Sequence, residues 1–460
     1  MTNKLPDGPN TPSWWQLIRW IEDPLKYEKE CVQRYGDIYT FKIPSVPPFV
    51  VVGNPVGVQE ILSQHSDNFD VGRGNYVAQP LVGENSLFLY DGERHQRERK
   101  LLMPPFHGQN LQSYAQSICN IALKVASQWK ENQRILARQA MQNISLEVIL
   151  KVVFGISEGE RYQKIKPLLA EMLDAIDSPF QSSFLFVKFL RKDWGKWSPW
   201  GRMKYRRKEI YKLLQEEINE RRFNPEKIGN DVLSLMMSAT DKEGEKLTDS
   251  ELKDELMTLL FTGHETTASM LSWAFYEILR HPDVLQKLRN ELEQKGENQT
   301  SLEIAKLPYL NAVCQEVLRM YPVLALIFPR ITKKTMKIMG YQFVPGTWLT
   351  ISAYLVHHRE DLYPEPEKFQ PERFLERQFS SYEYFPFGGG SRRCLGYALA
   401  ELEMKLVLAS IISKYELTLE SEKLVKPLPR GLTISPAGGV PLIFQRKRVL
   451  PSKQLQKNLA

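Results

Sequence analysis

The sequence predicts one large domain that is mainly α-helical with a smaller β-sheet region. Between about residues 93 and 320, apolar residues recur at the 3.6-residue spacing of helices that bury one face, and a further helical stretch is expected at about 395–414. Strand-like segments lie near the start of the chain and late in it, at about 35–55, 323–355 and 415–445. The 29 prolines and 26 glycines are scattered, without a linker or internal repeat, so residues 1–460 are expected to form a single domain.

The charge pattern argues against nucleic acid as a partner. The 460 residues carry 61 Lys and Arg against 54 Asp and Glu, a net charge of +7. Basic and acidic residues are interleaved almost throughout, which is typical of solvated helix faces. A modest positive excess is better suited to a docking face for an acidic protein.

The cysteines and the hydropathy limit the classes of protein. Cys31, Cys119, Cys314 and Cys394 are far apart, so a zinc ribbon or iron–sulfur motif is not indicated, and their small number fits a reducing cytoplasm. No window approaches the roughly 18 apolar residues of a transmembrane helix. We expect a cytoplasmic protein, and peripheral contact with a membrane stays open. The apolar segment DSPFQSSFLFVKFL, residues 177–190, is either a buried loop or a lid over an apolar pocket.

The longest predicted helix is TDSELKDELMTLLFTGHETTASMLSWAFYEILRHP. Thr248 and Glu251 have the spacing of a capping box at its start, and Pro282 marks its far end. At 1.5 Å per residue this helix is roughly 50 Å long, enough to cross the domain.

The stretch FPFGGGSRRCLGYALAE places a cysteine after three glycines and before a helix. Glycines allow the backbone to approach something flat or bulky because no Cβ intervenes. An apolar stripe follows on the helix, formed by Leu395, Leu399, Leu402, Leu406 and Ala409. Cys394 would therefore lie at a helix N-terminus, where the dipole and free N–H groups favour a thiolate. A lone cysteine is more often a core residue, but the flanking Gly and Arg pattern favours a functional thiolate.

This stretch resembles the F-x-x-G-x-R-x-C-x-G signature of the haem-thiolate monooxygenases, the cytochromes P-450. The resemblance implies the cytochrome P-450 fold, with a long central helix over a haem b, and Cys394 as the proximal iron ligand. Phe387 would pack beside the thiolate, and Arg392 would face a haem propionate. Gly388 and Gly396 would belong to the same cofactor-binding loop.

The segment TGHETT interrupts the long helix with residues that favour helices poorly. A glycine costs about 1 kcal/mol relative to alanine there, and a threonine hydroxyl can bond back to a carbonyl one turn earlier. The segment is either a crossing point between helices or a local widening. It is similar to the family pattern (A/G)-G-x-(D/E)-T. This resemblance implies that Thr266 hydrogen-bonds the iron-bound oxygen and that Glu265 helps relay protons. Thr262 stands where the family usually has Ala or Gly, so it would narrow the pocket.

Two further motifs bring charged residues together. Glu316 and Arg319 share a helical face, and the family pairs this E-x-x-R with a P-E-R-F segment that supplies Arg373. The resemblance implies a buried network that holds the Cys394 loop in register.

His95 and Arg99, four apart in HQRERKLLMPPF, also share a helical face. Alone, this segment would be a solvated surface. The resemblance implies that both residues, together with Arg330, bind the haem propionates through charge-assisted hydrogen bonds.

The family's substrate-contacting segments map onto mainly apolar positions. They are Val77, Leu81, Leu87, Phe88, Thr262, Leu324, Leu326, Ile327 and Leu432. A lipophilic substrate is therefore expected: a fatty acid, terpenoid, steroid-like or aromatic molecule. Arg73 is either an anchor for a carboxylate or a solvated loop residue. The nearest resemblance within the family is to cyanobacterial members that oxidise fatty acids, terpenoids and other lipophilic molecules.

The resemblance also bears on the electrons and the reaction. No flavin or nicotinamide module is recognisable, so we expect a monomer that receives electrons from an acidic ferredoxin docked near Arg392, Arg393 and Lys405. The main hypothesis is hydroxylation of a C–H bond with O₂. A haem-thiolate peroxygenase or hydroperoxide isomerase is an alternative that the intact Glu265–Thr266 pair disfavours. A non-catalytic haem sensor is the third interpretation.

Overall fold

A computed structural model describes residues 5–44, 46–175, 191–294, 300–430 and 433–448. The lid or buried loop expected at 177–190 and the pocket residue Leu432 lie outside the described residues.

Helices dominate the described chain. They are α1 (Ser13–Glu22), α2 (Pro24–Tyr35), α3 (Pro55–Leu62), α4 (Gln79–Val82), α5 (Gly92–Leu102), α6 (Gly108–Ser113), α7 (Ala115–Ala126), α8 (Ala137–Val148), α9 (Gly159–Asp174), α10 (Pro199–Phe223), α11 (Val232–Ser238), α12 (Asp249–Arg280), α13 (Pro282–Gln294), α14 (Ser301–Ile304), α15 (Pro308–Met320), α16 (Ala353–His357), α17 (Arg373–Glu376) and α18 (Tyr397–Lys414). A π-helical turn, Ile149–Val153, continues α8.

The strands form small sheets at the edge of this helical body. They are β1 (Ile38–Phe41), β2 (Phe49–Val52), β3 (Phe69–Asp70), β4 (Gln133–Leu136), β5 (Arg330–Thr332), β6 (Met336–Ile338), β7 (Tyr341–Phe343), β8 (Trp348–Ile351), β9 (Tyr415–Leu419), β10 (Pro427–Arg430), β11 (Thr433–Pro436) and β12 (Pro441–Lys447). One sheet has the order β1-β2-β8-β5-β3, and another β4-β12-β9. β10 pairs with β11, and β6 with β7.

The register of the larger sheet follows from burial. β1 and β2 form an antiparallel pair in which Ile38 faces Val52, and β2 runs parallel to β8 with Val50 opposite Leu349. Val50 and Val52 are fully buried, so a slip by one residue would move these side chains to the other face. The mainly helical fold with a smaller sheet region, predicted from periodicity, is confirmed.

One strand lies inside the stretch that the sequence predicts to be almost wholly helical. β4 separates α7 from α8 and pairs with β12, with Ile135 opposite Leu442. A strand of four residues is too short to show a distinct period, and its partner lies some 300 residues later in the chain. Local pattern alone therefore does not reveal it.

The long helix α12 runs through the main hydrophobic core. It begins with the predicted capping box, in which Thr248 and Glu251 satisfy each other's backbone N–H groups, and ends at Arg280, two residues before Pro282. Its second half is almost entirely buried, and α8, α15 and α18 pack against it. This helix carries the site residues between those neighbours.

Candidate active site

The loop before α18 passes closely over the end of α3. Gly388 and Gly390 have φ of +68° and +64°, which an L-residue with a side chain rarely adopts. A Cβ on Gly389 would come within 2.6 Å of Leu62 Cδ1, and one on Gly390 within 3.0 Å of the Leu62 carbonyl oxygen. These glycines thus serve close packing against α3. The Cys394 N–H donates to the Phe387 carbonyl at 2.9 Å and closes the loop.

Cys394 has an exposed surface, yet enough protein surrounds its sulfur that burial raises the pKa of the thiol. The Gly396 N–H and the guanidiniums of Arg99 and Arg393 lower that pKa but do not overcome desolvation. α18 begins only at Tyr397. The N–H at the helix start thus acts in the expected direction, but desolvation is the larger effect in the protein alone, and a thiolate at Cys394 stays a prediction. A bound cationic metal ion would reverse the balance, since a coordinating thiol is deprotonated.

A group of cations lies near this loop. Arg330 is 5% exposed, and its one side-chain hydrogen bond reaches the Gly389 carbonyl at 3.5 Å. Burial, with the nearby charge of Arg392, lowers the pKa of Arg330 to about 10. Burial, Arg392 and Arg99 lower the pKa of His95 to about 3. Within the described ranges, no carboxylate forms an ion pair with Arg330 or Arg99.

This donor set fits a haem. No group of three or more His, Cys, Asp or Glu side chains in the described part of the chain is arranged to hold a metal ion. Two propionate carboxylates would supply a counter-charge to Arg99 and Arg330, and His95, with its lowered pKa, would be a neutral hydrogen-bond donor to them. Cys394, Phe387 and Gly396 lie on the loop that would face the iron.

Arg392 has a protein partner that sequence reasoning missed. Its Nη2 donates to the Tyr90 carbonyl and forms an ion pair with Asp91. Asp91 also accepts from the Val71 N–H at 3.0 Å and the Gly72 N–H at 2.8 Å. This carboxylate lies at the N-cap position of α5. From the local sequence, a cap of that helix is therefore the role to expect for Asp91. Its actual bonds tie the chain before α5 to the cysteine loop.

At the centre of α12 the two threonines bond back to the helix. The Thr262 hydroxyl donates to the Thr258 carbonyl at 2.7 Å, and the Thr266 hydroxyl donates to the Thr262 carbonyl at 2.6 Å. α12 stays helical through this segment. A Cβ on Gly263 would meet Ile149 Cδ1 at 3.7 Å, an ordinary contact, so the crossing with the π-helical turn does not require glycine.

Glu265 points toward α8. Arg138 donates to both its oxygens, at 3.0 and 2.9 Å, and Gln142 and Ser269 donate at 2.9 and 3.2 Å. Arg138 is 7% exposed, so this is a buried ion pair. Arg138 and Gln142 were missed because their i, i+4 spacing on α8 shows nothing of a partner more than 120 residues away. A carboxylate that accepts this many hydrogen bonds is held as an anion.

Glu316, Arg319 and Arg373 come together as the motifs predict. Arg319 donates to both Glu316 oxygens, at 2.7 and 2.9 Å, and Arg373 Nε donates to Glu316 Oε1 at 3.0 Å. Arg319 also reaches the carbonyls of His357 and Pro366, each at 2.8 Å. Glu316 and Arg319 are fully buried. The network therefore holds the segment before the cysteine loop by its backbone.

The apolar pocket candidates divide among several clusters. Val77, Leu81, Leu87 and Phe88 pack in the main core, and the Phe88 ring meets Phe328 edge-on at 4.8 Å between centroids.

The remaining candidates lie on the segment before β5 and on exposed positions. Ile327 approaches Gly388, whereas Leu326 packs against the cluster formed by α2 and β1, and Leu324 is half-buried. Thr262 is exposed. Arg73 is also exposed, as the solvated-loop interpretation expects.

The basic residues after the glycines are differently accessible. Arg393 is exposed and lies over the Tyr397 ring at 3.9 Å, while Lys405 is half-buried. Arg392 is committed to Asp91. Of the three predicted docking residues, Arg393 is thus the most open to a partner. No helix in the described segments combines the length and apolarity needed to cross a membrane.

Comparisons with known proteins agree with this geometry. The family model described as "Cytochrome P450" matches residues 6–441. "Putative cytochrome P450 135B1" of Mycobacterium tuberculosis is 31% identical over 436 residues, covering 95% of this chain and 90% of the relative. "Putative cytochrome P450 138" of Mycobacterium bovis is 29% identical over 450 residues, 96% and 97% of the two chains. A solved structure described as "Retinoic acid bound cyanobacterial CYP120A1" has a TM-score of 0.83 at 24% identity and covers 97% of this chain and 100% of that one.

Proposed function

Because this chain belongs to the cytochrome P450 family and is a haem-dependent monooxygenase, we propose that it hydroxylates a lipophilic substrate with electrons from a separate acidic ferredoxin. The edge-on contact between Phe88, which packs against the main core, and Phe328 is the observation that carries the substrate class. The structural neighbour is described as bound to retinoic acid, a carboxylic acid with a largely apolar body, which supports the same class.

The cofactor would be held from two sides. Cys394 would ligate the iron of haem b, and His95, Arg99, Arg330 and Arg392 would receive the propionates. When bound, the haem supplies the iron that activates dioxygen and the electron density that a thiolate ligand adds. The propionates would also relieve the uncompensated charge on Arg330, whose pKa is lowered by burial.

The polar groups of α12 would manage protons and water. The Thr266 hydroxyl donates to a carbonyl and keeps lone pairs that accept a hydrogen bond, so it can pass a proton on by rotating. Glu265 is held by Arg138 and would act as a fixed negative charge next to Thr266. Thr262 adds a second hydroxyl one turn earlier, where it would narrow the pocket and hold a water.

Electrons would arrive on the cysteine side. Arg393 is exposed there, and Lys405 lies along α18 on the same side of the loop. A cationic face of this kind attracts an acidic ferredoxin over a Debye length of about 8 Å at physiological salt.

The proposal is tested first by spectroscopy of the purified protein. Reduced protein with carbon monoxide should show a strongly red-shifted Soret band, and Cys394→Ser should lose it while keeping the helical circular dichroism. Titration with fatty acids, terpenoids and polar molecules of equal size should then give substrate-type spectral shifts for lipophilic ligands alone.

Product formation distinguishes a ferredoxin-dependent monooxygenase from an enzyme that uses hydrogen peroxide. With ferredoxin, its reductase and NADPH, product should form; product from hydrogen peroxide alone at an equal rate would favour a peroxygenase. Binding of lipophilic ligands without product under either condition would favour a haem sensor and contradict the proposal.

A further inference from the structure

Polar side chains follow one face of the first half of α12. Glu255, Thr258, Thr262 and Thr266 are three, four and four residues apart, so they lie one above the other. Four residues advance a helix by about 6 Å. One water hydrogen-bonded to two successive hydroxyls spans about the same distance, at roughly 2.8 Å for each bond. The face therefore has the spacing of a water-linked relay that ends at Thr266.

Hydrogen bonds in the structure already order these hydroxyls. Thr258 Oγ1 lies 2.7 Å from Ser86 Oγ, and both residues are buried. Thr258 donates to the Asp254 carbonyl at 2.8 Å, as Thr262 and Thr266 do to the carbonyls one turn before them. Each hydroxyl thus keeps a lone pair for an incoming proton. We call Ser86, Thr258, Thr262 and Thr266 the hydroxyl ladder.

The lower end of the ladder meets a buried acid. Glu255 is 2% exposed, and its Oε1 accepts a hydrogen bond from the Leu87 N–H, the residue next to Ser86. Burial raises the pKa of Glu255 well above its ordinary value, and the charges of Glu98, Asp254 and Glu251 add to the effect. The hydrogen bond from the Leu87 N–H lowers the pKa of Glu255, but by less than burial raises it. Burial thus favours the protonated form of this carboxyl.

A second acid connects Glu255 with the surface. Glu98 on α5 is fully buried, and its Oε1 accepts from Arg94 Nε at 3.0 Å. Its Oε2 has no hydrogen-bond partner, and burial raises the pKa of Glu98 to about 7. Arg94 is half exposed and also contacts Glu251 at 3.5 Å. Tyr90 lies against the same group. Glu98 therefore contacts a half-exposed arginine on one side and lies near enough to Glu255 to raise its pKa.

Glu265 is a poor source for the same proton. Arg138 occupies both its oxygens, and Gln142 and Ser269 add further donors. Protonation of Glu265 would have to break its ion pair with Arg138, whereas burial favours the protonated form of Glu255. The two acids on α12 are thus set for different tasks.

We propose that Glu255 supplies protons to Thr266 through the hydroxyl ladder, and that Glu98 reloads Glu255 from solvent. The O–H bond of Glu255 breaks as an O–H bond forms on the Ser86–Thr258 pair. Each hydroxyl or water gives up one proton as it receives one, and Thr266 passes the last to the oxygen that is being reduced. The Glu255 carboxylate regains a proton from Glu98, and no electron moves along this route. Glu255 is a positioning residue because it acts through Thr266.

The protonation state is tested without turnover. Infrared difference spectra of the folded holoprotein at neutral pH should show a carbonyl band of a protonated carboxyl that Glu255→Gln removes. Glutamine keeps an oxygen for the Leu87 N–H, so folding should be preserved and the melting temperature should confirm it. Glu403→Gln is the matched control, because Glu403 is also buried with a pKa raised to about 8 but lies on α18, off the ladder. It should remove a different band.

Coupling is the second readout. With a lipophilic substrate that the wild type oxidises, Glu255→Gln and Thr258→Val should lower product per NADPH by roughly a hundredfold, at the lower end of general acid catalysis, and raise peroxide. Glu403→Gln should match the wild type, and Glu255→Asp should recover part of the coupling.

Two results would overturn the relay: a Glu255 that is ionised in the infrared spectrum, or coupling in Glu255→Gln equal to that of the control. The inference rests on the monooxygenase reaction with the proposed substrate and donor. If the wild type forms no product, the proposed substrate class and electron donor are wrong. The infrared result would still decide whether Glu255 is protonated.

Discussion

The network around Glu316 allows a quantitative prediction about stability. Glu316→Gln keeps the shape of the side chain but removes the charge that holds Arg319 and Arg373, which are 0% and 7% exposed. One carboxylate receives both guanidiniums, so the variant leaves two buried cations without a counter-charge. Removing one partner of a buried pair costs about 3–5 kcal/mol. That is a large part of the roughly 5–15 kcal/mol that stabilises a typical domain.

The loss should also reach the cofactor loop. Arg319 holds the His357 carbonyl at 2.8 Å, and His357 Nε2 accepts the N–H of Phe385, where the cysteine loop begins, at 3.0 Å. We therefore expect Glu316→Gln to lower both the free energy of unfolding and the occupancy of haem. Urea unfolding of the holoprotein by circular dichroism measures the first, and the ratio of Soret to protein absorbance measures the second.

An exposed pair provides the control. Glu365 and Lys368 lie 3.5 Å apart with side chains 70% and 61% exposed. Glu365→Gln should therefore change stability by less than about 0.5 kcal/mol. If Glu316→Gln costs no more than this control and retains its haem, the network contributes little and the reasoning is refuted.

Three further changes test other parts of the molecule. Arg138→Met should remove the guanidinium that donates to both Glu265 oxygens and lower stability by about 1–3 kcal/mol, measured by urea unfolding, and Arg138→Lys should restore part of that loss; equal stabilities of wild type and Arg138→Met would show that the pair does not stabilise the fold. Arg393→Ala should slow electron transfer from ferredoxin at low salt and weaken its salt dependence in stopped-flow traces, and rates unchanged across salt would exclude charge steering. Burial raises the pKa of Glu28 from 4.5 to about 8, so the folded state binds the extra proton and stability should fall as pH rises between those values. Glu28→Gln should flatten that part of the stability profile, and an unchanged slope would show that Glu28 does not titrate there.

Motifs with fixed spacing could be recognised in the sequence because all their residues lie close together along the chain. The cysteine signature and the α12 motif led to the family, which the family model and the relatives confirm. The helical periodicity likewise predicted the fold class. The roles of Cys394, Thr266 and the propionate residues stay predictions that the spectra and variants above will test.

Ion-pair partners that are far apart in the sequence could not be predicted from it. Arg138 meets Glu265 across 127 residues and Arg392 meets Asp91 across 301, and neither sequence neighbourhood contains a sign of the other. The thiol of Cys394 showed the same limit, because its pKa depends on how much protein surrounds the sulfur.

The sequence by itself determined the helical class, the capped long helix and the residue types that a haem-thiolate site needs, since each depends on spacing along one element. Tertiary structure alone decided which acid on α12 is paired with an arginine and which is buried with a raised pKa. Glu265 and Glu255 are chemically identical and lie ten residues apart on one helix. Arg138 donates to Glu265, whereas Glu255 accepts from the Leu87 N–H and lies near other acids, so desolvation raises the pKa of Glu255.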